Sequence, residues 1–180
     1  GVAHAAKAWE HPDGEVDQMV AVNLLGVMHG SRVAVQAMRE HGGHLLNIAS
    51  MSAHGPVPGL AVYAATKAGV VSFTASLRGE LDIAGLPIRA HALCPDVADT
   101  ALVQAAREQP DAAILFAQRE ILSAAQVADA AVAMLDGNRI VHSLPGHRAA
   151  LARLAGVIPR VGLPVLARMR KTGEKRRVQR

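Results

Sequence analysis

The chain has 180 residues, of which 51% are apolar and 19% are charged, and this balance is typical of one soluble globular domain. No apolar run approaches the roughly 20 residues of a membrane-spanning helix, and the single cysteine excludes an internal disulfide and indicates a reducing, cytoplasmic compartment. Residues 1–147 hold nine Lys and Arg against fourteen Asp and Glu, whereas residues 148–180 hold ten against Glu174 alone. We therefore predict a body over residues 1–147 and a basic amphipathic tail over residues 148–180.

Apolar residues in the body follow helix and strand spacings in alternation. Glycines end the helical patterns at Gly42 and Gly85, and Ser123 and Gln126 form a capping box that opens a later helix. Strands that alternate with helices favour an α/β fold with a parallel sheet. The expected elements, in chain order, are a helix over 16–40, a strand over 44–49, a loop over 55–59, a helix over 60–84, a strand over 88–93, a loop over 95–100, a helix from the Ser123 cap to residue 135 and a short strand over 139–141.

Three polar residues are spaced so that they can meet at the end of a strand. Ser50 follows the strand expected over 44–49, and ligands bind at the carboxyl ends of strands in open parallel sheets. Tyr63, the only tyrosine, lies four residues before Lys67, so the two side chains share one face of a helix. A phenol has a pKa of about 10, which a nearby cation is expected to lower. The set suits proton transfer to or from an alcohol or carbonyl, with Ser50 or its neighbour Ser52 holding the substrate oxygen.

Four motifs in this order resemble those of the short-chain dehydrogenase/reductase family, and the resemblance covers roughly Gly1 to Val141. It implies the C-terminal portion of a Rossmann-like, doubly wound parallel sheet, with a basic helical or disordered extension, and it implies NAD or NADP as the cofactor. The motifs are Val22-Asn23-Leu24-Leu25-Gly26, Asn47-Ile48-Ala49-Ser50, Tyr63-Ala64-Ala65-Thr66-Lys67 and the loop from Cys94 to Thr100.

The resemblance implies a role for each matched residue. Tyr63 is expected to act as the general acid/base, and Lys67 to hold the nicotinamide ribose and lower the tyrosine pKa. Ser50 is expected to hydrogen-bond the substrate oxygen, and Asn23 to support a water-mediated proton relay. Substrate contacts are thus expected at Ser50 and Tyr63. The implied cofactor contacts are Asn23, Tyr63, Lys67, Pro95, Val97 and Thr100.

The sequence departs from the family pattern in two ways. Asp96 stands where relatives usually have glycine, so we expect modest strain if this position has a positive φ, and an unfavourable carboxylate near the cofactor pyrophosphate. No Gly-x-x-x-Gly-x-Gly or Gly-x-Gly-x-x-Gly occurs, although such a turn normally receives that pyrophosphate. Gly1-Val2 resembles a segment that lies several strands into the family fold. We therefore interpret the chain as a fragment that lacks the dinucleotide-binding N-terminal units.

Two classes of function stay open. The first is an NAD(P)-dependent oxidoreductase that exchanges a hydride between nicotinamide and a carbonyl or secondary alcohol. The second is a noncatalytic, dimer-forming remnant or binding module. In relatives the helices that carry Asn23 and Tyr63 build the subunit interface, so a homodimer or homotetramer is expected in either case.

Two further segments bear on substrates and partners. Residues 100–123 include Leu102, Val103, Ile114, Leu115 and Phe116, and this apolar segment either closes over an apolar substrate or packs on the core. The tail is either a partly disordered extension that packs on the body or a neighbouring subunit, or a contact with an anionic membrane surface. Nucleic acid is not expected, because the tail has no aromatic residue for stacking. The nine histidines lack the spacing of a metal motif, so no metal site is expected.

Overall fold

The sheet consists of three parallel strands in the order β1-β2-β3. In the computed structural model, which describes residues 1–119 and 121–179, the strands are β1 (Gly43–Ile48), β2 (Ile88–Pro95) and β3 (Val141–Leu144). All of β1 pairs with β2, whereas β3 pairs only with the second half of β2. The central strand β2 is buried over most of its length, so its side chains are mainly apolar and Arg89 is its exposed residue.

Helices connect the strands and follow the last one. A π-helical turn at Ala21–Leu25 joins the first two helices into one continuous segment. Short 3₁₀ helices lie at Met51–His54, Ala106–Glu108 and Pro110–Phe116. The α-helices are α1 (Asp13–Val20), α2 (Gly26–Met38), α3 (Ala61–Ile83), α4 (Ala101–Ala105), α5 (Ala124–Leu135), α6 (Gly146–Val157) and α7 (Pro159–Gln179).

The predicted α/β fold with a parallel sheet is confirmed. Helix α3 matches the helix expected over 60–84 and ends before Gly85, whose φ of +66° favours glycine. The helix expected over 16–40 is present as α1, the π-helical turn and α2, with its start at Asp13. The strand expected over 139–141 was wrong in its bounds, since β3 is Val141–Leu144. Pairing with β2 decides the position of β3, and the local apolar pattern does not reveal that pairing.

A buried polar network holds the strand that leads to Ser50. Asn47, near the end of β1, donates from Nδ2 to Ser31 Oγ of α2 at 3.2 Å and to Thr74 Oγ1 of α3 at 3.0 Å. All three network side chains are buried. A buried polar group without a partner costs about 1–3 kcal/mol, so this network is stable only when the two helices and the strand are aligned. It therefore positions the carboxyl end of β1.

The C-terminal helices, α6 and α7, pack directly on the body. A Cβ on Gly156 of α6 would lie 2.5 Å from the carbonyl oxygen of His54, and a Cβ on Gly173 of α7 would overlap the carbonyl group of Ala113. Only glycine permits backbone contacts this close. Of the two alternatives for the extension, the helical one is therefore observed, as α6 and α7. None of the helices formed by residues 1–119 and 121–179 is both long enough and apolar enough to cross a membrane.

Candidate active site

Ser50 lies directly beyond β1, in extended backbone that begins the 3₁₀ helix Met51–His54. Its Oγ accepts a hydrogen bond from the backbone N–H of Ser52 at 3.2 Å. The Ser50 hydroxyl also lies close enough to Tyr63 to lower the pKa of its phenol. Ser52 Oγ, by contrast, is buried and has no hydrogen-bond partner within the described residues. Of the two serines that the sequence offers, Ser50 is thus the one that influences the tyrosine.

Tyr63 and Lys67 lie on the first two turns of α3, and helical geometry brings them to the same face. Lys67 Nζ is 5.8 Å from the centroid of the Tyr63 ring and donates a hydrogen bond to the carbonyl oxygen of Ile48 at 2.9 Å. This bond ties the lysine to the end of β1, two residues before Ser50. Strand and helix therefore bring together the three groups that the sequence spacing predicts.

Burial dominates the acid–base properties of this pair. It raises the pKa of Tyr63, and the nearby Ser50 hydroxyl opposes the rise only in part. Burial likewise lowers the pKa of Lys67. The tyrosine pKa is thus raised where the sequence led us to expect it lowered, because the spacing predicts a neighbouring cation but not the depth at which the phenol is buried. Tyr63 is consequently protonated near neutral pH.

Asn23 is buried in the π-helical turn and bonded to the chain near its first residues. Its Oδ1 accepts from the backbone N–H of Val2 at 2.8 Å, and its Nδ2 donates to the Val2 carbonyl oxygen at 2.7 Å. Nδ2 also approaches Thr66 Oγ1 at 3.4 Å, and Thr66 in turn donates to the carbonyl oxygen of Tyr63 at 2.7 Å. The structure therefore shows Asn23 linking residues 1–2 to the helix that carries Tyr63, and its role in a proton relay stays a prediction.

The loop after β2 contains Asp96, which stands where relatives usually have glycine. Among the described residues only glycines have a positive φ, so the φ of Asp96 is not positive. The expected backbone strain was therefore wrong. Its Oδ1 accepts from the backbone N–H of Val97 at 2.8 Å, and its other oxygen forms an ion pair with Arg148 of α6. Burial raises the pKa of Asp96, while Arg148 and the Val97 N–H oppose that rise. Arg148 therefore offsets the unfavourable charge that the sequence places in this loop.

A cavity of about 760 Å³ connects these groups. Ser50, Tyr63 and Lys67 line it, and so do the other loop residues predicted to contact a cofactor, which are Pro95, Val97 and Thr100. Thr100 Oγ1 also caps α4, because it accepts from the backbone N–H of Val103.

Residues of the segment 100–123 both line the cavity and pack on the core, and closure over an apolar substrate stays a prediction. Leu102, Val103, Ile114 and Leu115 line the cavity, while Phe116 packs with Val103 in a buried cluster.

The C-terminal helices form much of the remaining cavity wall, which the sequence reasoning missed. Arg148, Leu151, Leu154, Val161 and Val165 all line the cavity. Their apolar spacing was visible in the sequence, but the same spacing is typical of a helix that lies on a surface. Nothing in the sequence indicated the ion pair between Arg148 and Asp96. Arg148 is one of ten basic residues in the tail, and only the folded structure shows which of them meets Asp96.

A three-stranded parallel sheet with Ser50, Tyr63 and Lys67 at its carboxyl edge defines an α/β protein whose polar residues meet where the strands end. The family model for short chain dehydrogenase matches residues 1–111, and the chain belongs to that family. A crystal structure of a short chain dehydrogenase from Burkholderia cenocepacia in complex with NADP has the same fold, with a TM-score of 0.74 and 21% sequence identity. That match covers 94% of this chain and 67% of the solved chain.

Two curated relatives show how much of a longer protein the chain matches. It is 38% identical over 105 residues to the probable oxidoreductase EphD of Mycobacterium tuberculosis. This match covers 57% of this chain and 17% of the relative. It is 35% identical over 135 residues to 2-(R)-hydroxypropyl-CoM dehydrogenase of Xanthobacter autotrophicus. This match covers 72% of this chain and 51% of the relative. The chain thus spans about half the length, or less, of these curated relatives.

No group of three or more His, Cys, Asp and Glu side chains suited to a metal ion is present in residues 1–119 and 121–179. The histidines of β1 and β2, and His54 of the 3₁₀ helix that follows Ser50, instead contact other groups of the chain. His44 stacks on His91, whose Nδ1 is 2.7 Å from the carbonyl oxygen of Arg139, and His54 Nε2 is 2.8 Å from Ser143 Oγ. These contacts are structural and lie outside the cavity.

Proposed function

We propose that the chain supports hydride exchange between NAD(P) and a carbonyl or secondary alcohol on an apolar substrate. The observation that carries this proposal is the meeting of Ser50, Tyr63 and Lys67 at one end of a largely apolar cavity of about 760 Å³. The cofactor of the NADP-bound relative favours the same kind of cofactor here. When bound, the nicotinamide supplies or accepts the hydride.

The residues present fit the nicotinamide and ribose end of such a cofactor. Lys67 Nζ has three N–H donors and uses one of them on Ile48, so two are left for ribose hydroxyls. Pro95, Val97 and Thr100 provide a neighbouring wall, and Arg148 neutralises the carboxylate of Asp96 there. The sequence has no glycine-rich turn, so no contact with the pyrophosphate forms part of this proposal.

Tyr63 acts as the general acid in carbonyl reduction. Burial raises the pKa of Tyr63, so the phenol holds its proton near neutral pH and would protonate the substrate oxygen once a bound nicotinamide supplied hydride to the carbonyl carbon. Ser50 holds that oxygen through its hydroxyl, and the Lys67 charge stabilises the phenolate that remains. Oxidation of an alcohol runs through the same groups in reverse.

The cavity wall indicates the substrate class. Apolar side chains from segment 100–123 and from the C-terminal helices line it, and its polar groups lie mainly near Tyr63 and Asp96. An apolar wall favours an apolar substrate and excludes water, which strengthens electrostatic interactions at the reacting oxygen.

The substitution Tyr63→Phe tests the proposed chemistry. We expect turnover of an apolar ketone with NADPH or NADH to fall by about 10²–10⁴-fold, which is the usual contribution of a positioned acid. Circular dichroism and fluorescence titration with NADPH are the controls for fold and cofactor binding. Retention of most turnover in this variant would contradict the role of Tyr63. A parent chain that binds neither NADPH nor NADH would favour the noncatalytic alternative.

We further propose that the chain works in the cytoplasm and associates as a homodimer or homotetramer. Its cysteine, Cys94, is free and buried, which suits a reducing compartment. Val22, Leu25 and Val33 are exposed on the α1–α2 segment, where an apolar face suits a second copy. Sedimentation velocity of the parent chain and of Val33→Glu tests this, and a monomeric parent chain would contradict it.

A further inference from the structure

The C-terminal helices carry large apolar side chains that the body does not cover. Val157 is 79% exposed and Leu163 is 44% exposed, on either side of the turn between α6 and α7. Such a concentration of exposed apolar side chains on one hairpin marks an interaction site. The members of this tail apolar surface are Leu151, Leu154, Val157, Ile158, Val161, Leu163 and Val165.

The tail apolar surface is continuous with the cavity that contains Tyr63. All of its members except Val157 and Leu163 also line that cavity. The cavity therefore opens through an apolar rim, and Val157 and Leu163 extend the rim beyond the opening. An apolar compound could pass from an apolar phase into the cavity without crossing water.

Basic side chains accompany the rim. Arg160 lies on the first turn of α7, and Arg168 follows Val165 by three residues, so it lies on the same face of the helix. The body has a net charge of −5 and the tail one of +9, so an anionic surface attracts the tail and repels the body. The exposed basic side chains of α7 are Arg160, Arg168, Lys171 and Lys175.

We propose that the tail apolar surface docks on an anionic lipid bilayer, with the rim of the cavity against the lipid. Apolar side chains at a helical hairpin with a basic flank have the composition of interfacial segments, in which the apolar part enters the bilayer and the cations meet phosphates. Nucleic acid fits less well, because residues 148–180 include no aromatic side chain on which a base could stack. Docking would place the cavity next to a source of apolar compounds, which is the substrate class of the proposed function. The contact with lipid itself does not depend on that function.

Co-sedimentation with vesicles tests the charge requirement. We expect the chain to pellet with vesicles of phosphatidylcholine and phosphatidylserine, to stay in solution with phosphatidylcholine alone, and to be released by high salt. Arg160→Gln combined with Arg168→Gln is expected to weaken binding about fivefold for each cation removed. Arg32→Gln combined with Arg39→Gln changes the net charge equally, at an exposed position of α2 and at the exposed residue that follows it, and is expected to leave binding unchanged. Equal pelleting with both vesicles, or equal effects of the two double variants, would overturn the proposal.

A fluorescent label tests which part of the surface meets lipid. Cys94 is buried and its pKa is raised to about 11, so an introduced cysteine is labelled selectively at neutral pH. A polarity-sensitive dye on Val157→Cys is expected to shift to shorter wavelength when anionic vesicles are added. The same dye on Ile83→Cys, at a 90% exposed apolar residue ending α3, is expected not to shift. A shift at residue 83 that equals the shift at residue 157 would contradict docking through the tail.

The competing occupant is a second copy of the chain. If Val157→Ser with Leu163→Ser converts an oligomer into a monomer in sedimentation velocity, and the parent chain does not pellet with anionic vesicles, the surface is a contact between copies and the proposal is wrong. These measurements use neither cofactor nor turnover. A failure of the oxidoreductase proposal therefore remains distinguishable from a failure of docking.

Discussion

Residues 1–147 bury small side chains such as Ala49, Val70 and Cys94 between strands and helices, whereas the C-terminal helices leave large apolar side chains exposed. The body also provides Ser50, Tyr63 and Lys67, while the helices provide no reacting group and form cavity wall instead. The positions of reacting groups require a sheet edge and a helix in exact register. A cavity wall requires only apolar side chains at helical spacing. Under the proposed function, one chain thus separates the control of chemistry from the control of substrate access.

The two regions meet at two kinds of contact. Glycine allows backbone contact where Gly156 of α6 approaches His54 and Gly55 in the turn after Ser50. Charge links them where Arg148 of α6 pairs with Asp96 of the loop after β2. The body therefore depends on the tail for the geometry and the electrostatics of the loops around the site. Three substitutions measure how strong that dependence is.

The largest effect on stability is expected from Gly156→Ala. An added Cβ would lie 2.5 Å from the His54 carbonyl oxygen, so α6 must move and the free energy of unfolding is expected to fall by about 3 kcal/mol. Gly30→Ala is the matched control, because Gly30 is also within a helix and has no atom within 4 Å of the added Cβ. It is expected to stabilise the chain by about 0.5–1 kcal/mol. Urea unfolding measures both, and two changes of the same sign would contradict the packing of α6 on the body.

A smaller effect is expected from Arg148→Gln. This substitution leaves the buried Asp96 carboxylate without its cation, so the free energy of unfolding at neutral pH is expected to fall by about 1–3 kcal/mol. Asp96→Asn combined with Arg148→Gln removes both charges and is expected to recover most of that loss. A double-mutant cycle from urea unfolding gives the coupling between the two side chains. Additive effects would show that the ion pair does not connect the two regions.

The smallest effect concerns pH. Burial lowers the pKa of His54 from its ordinary value of 6.5, and the nearby charge of Arg153 in α6 lowers it further. Below pH 6.5 the unfolded chain therefore binds a proton that the folded chain does not, and stability falls as the pH falls from 6.5 towards the folded-state pKa. Because His54 is only partly buried, we expect the loss to stay below about 1 kcal/mol.

Thermal unfolding of the parent chain and of Arg153→Gln between neutral and mildly acidic pH checks this expectation. The variant is expected to lose slightly less stability on acidification, since the repulsion between Arg153 and a protonated His54 is absent. Identical pH profiles would show that α6 has no electrostatic influence on the turn after Ser50.

Much of the body was predictable because its signals are local. The largely apolar segment 88–93 indicates a buried strand, Gly85 indicates the end of α3, and the Ser123 capping box was found as predicted. The strand β3 was misplaced because pairing with β2 decides its bounds. The roles of Asn23, Ser50, Tyr63 and Lys67 remain predictions, although the structure brings the last three together.

By itself the sequence determined the α/β class, the convergence of Ser50, Tyr63 and Lys67, and the unequal charge of body and tail. These properties follow from periodicity, spacing and composition. Such signals depend only on residues that are close in sequence. Only the tertiary structure decided that Tyr63 is buried deeply enough for its pKa to rise, that Arg148 neutralises Asp96, and that the tail lines the cavity. Each of these depends on contacts between residues far apart in the chain, and those contacts exist only after the helices pack on the sheet.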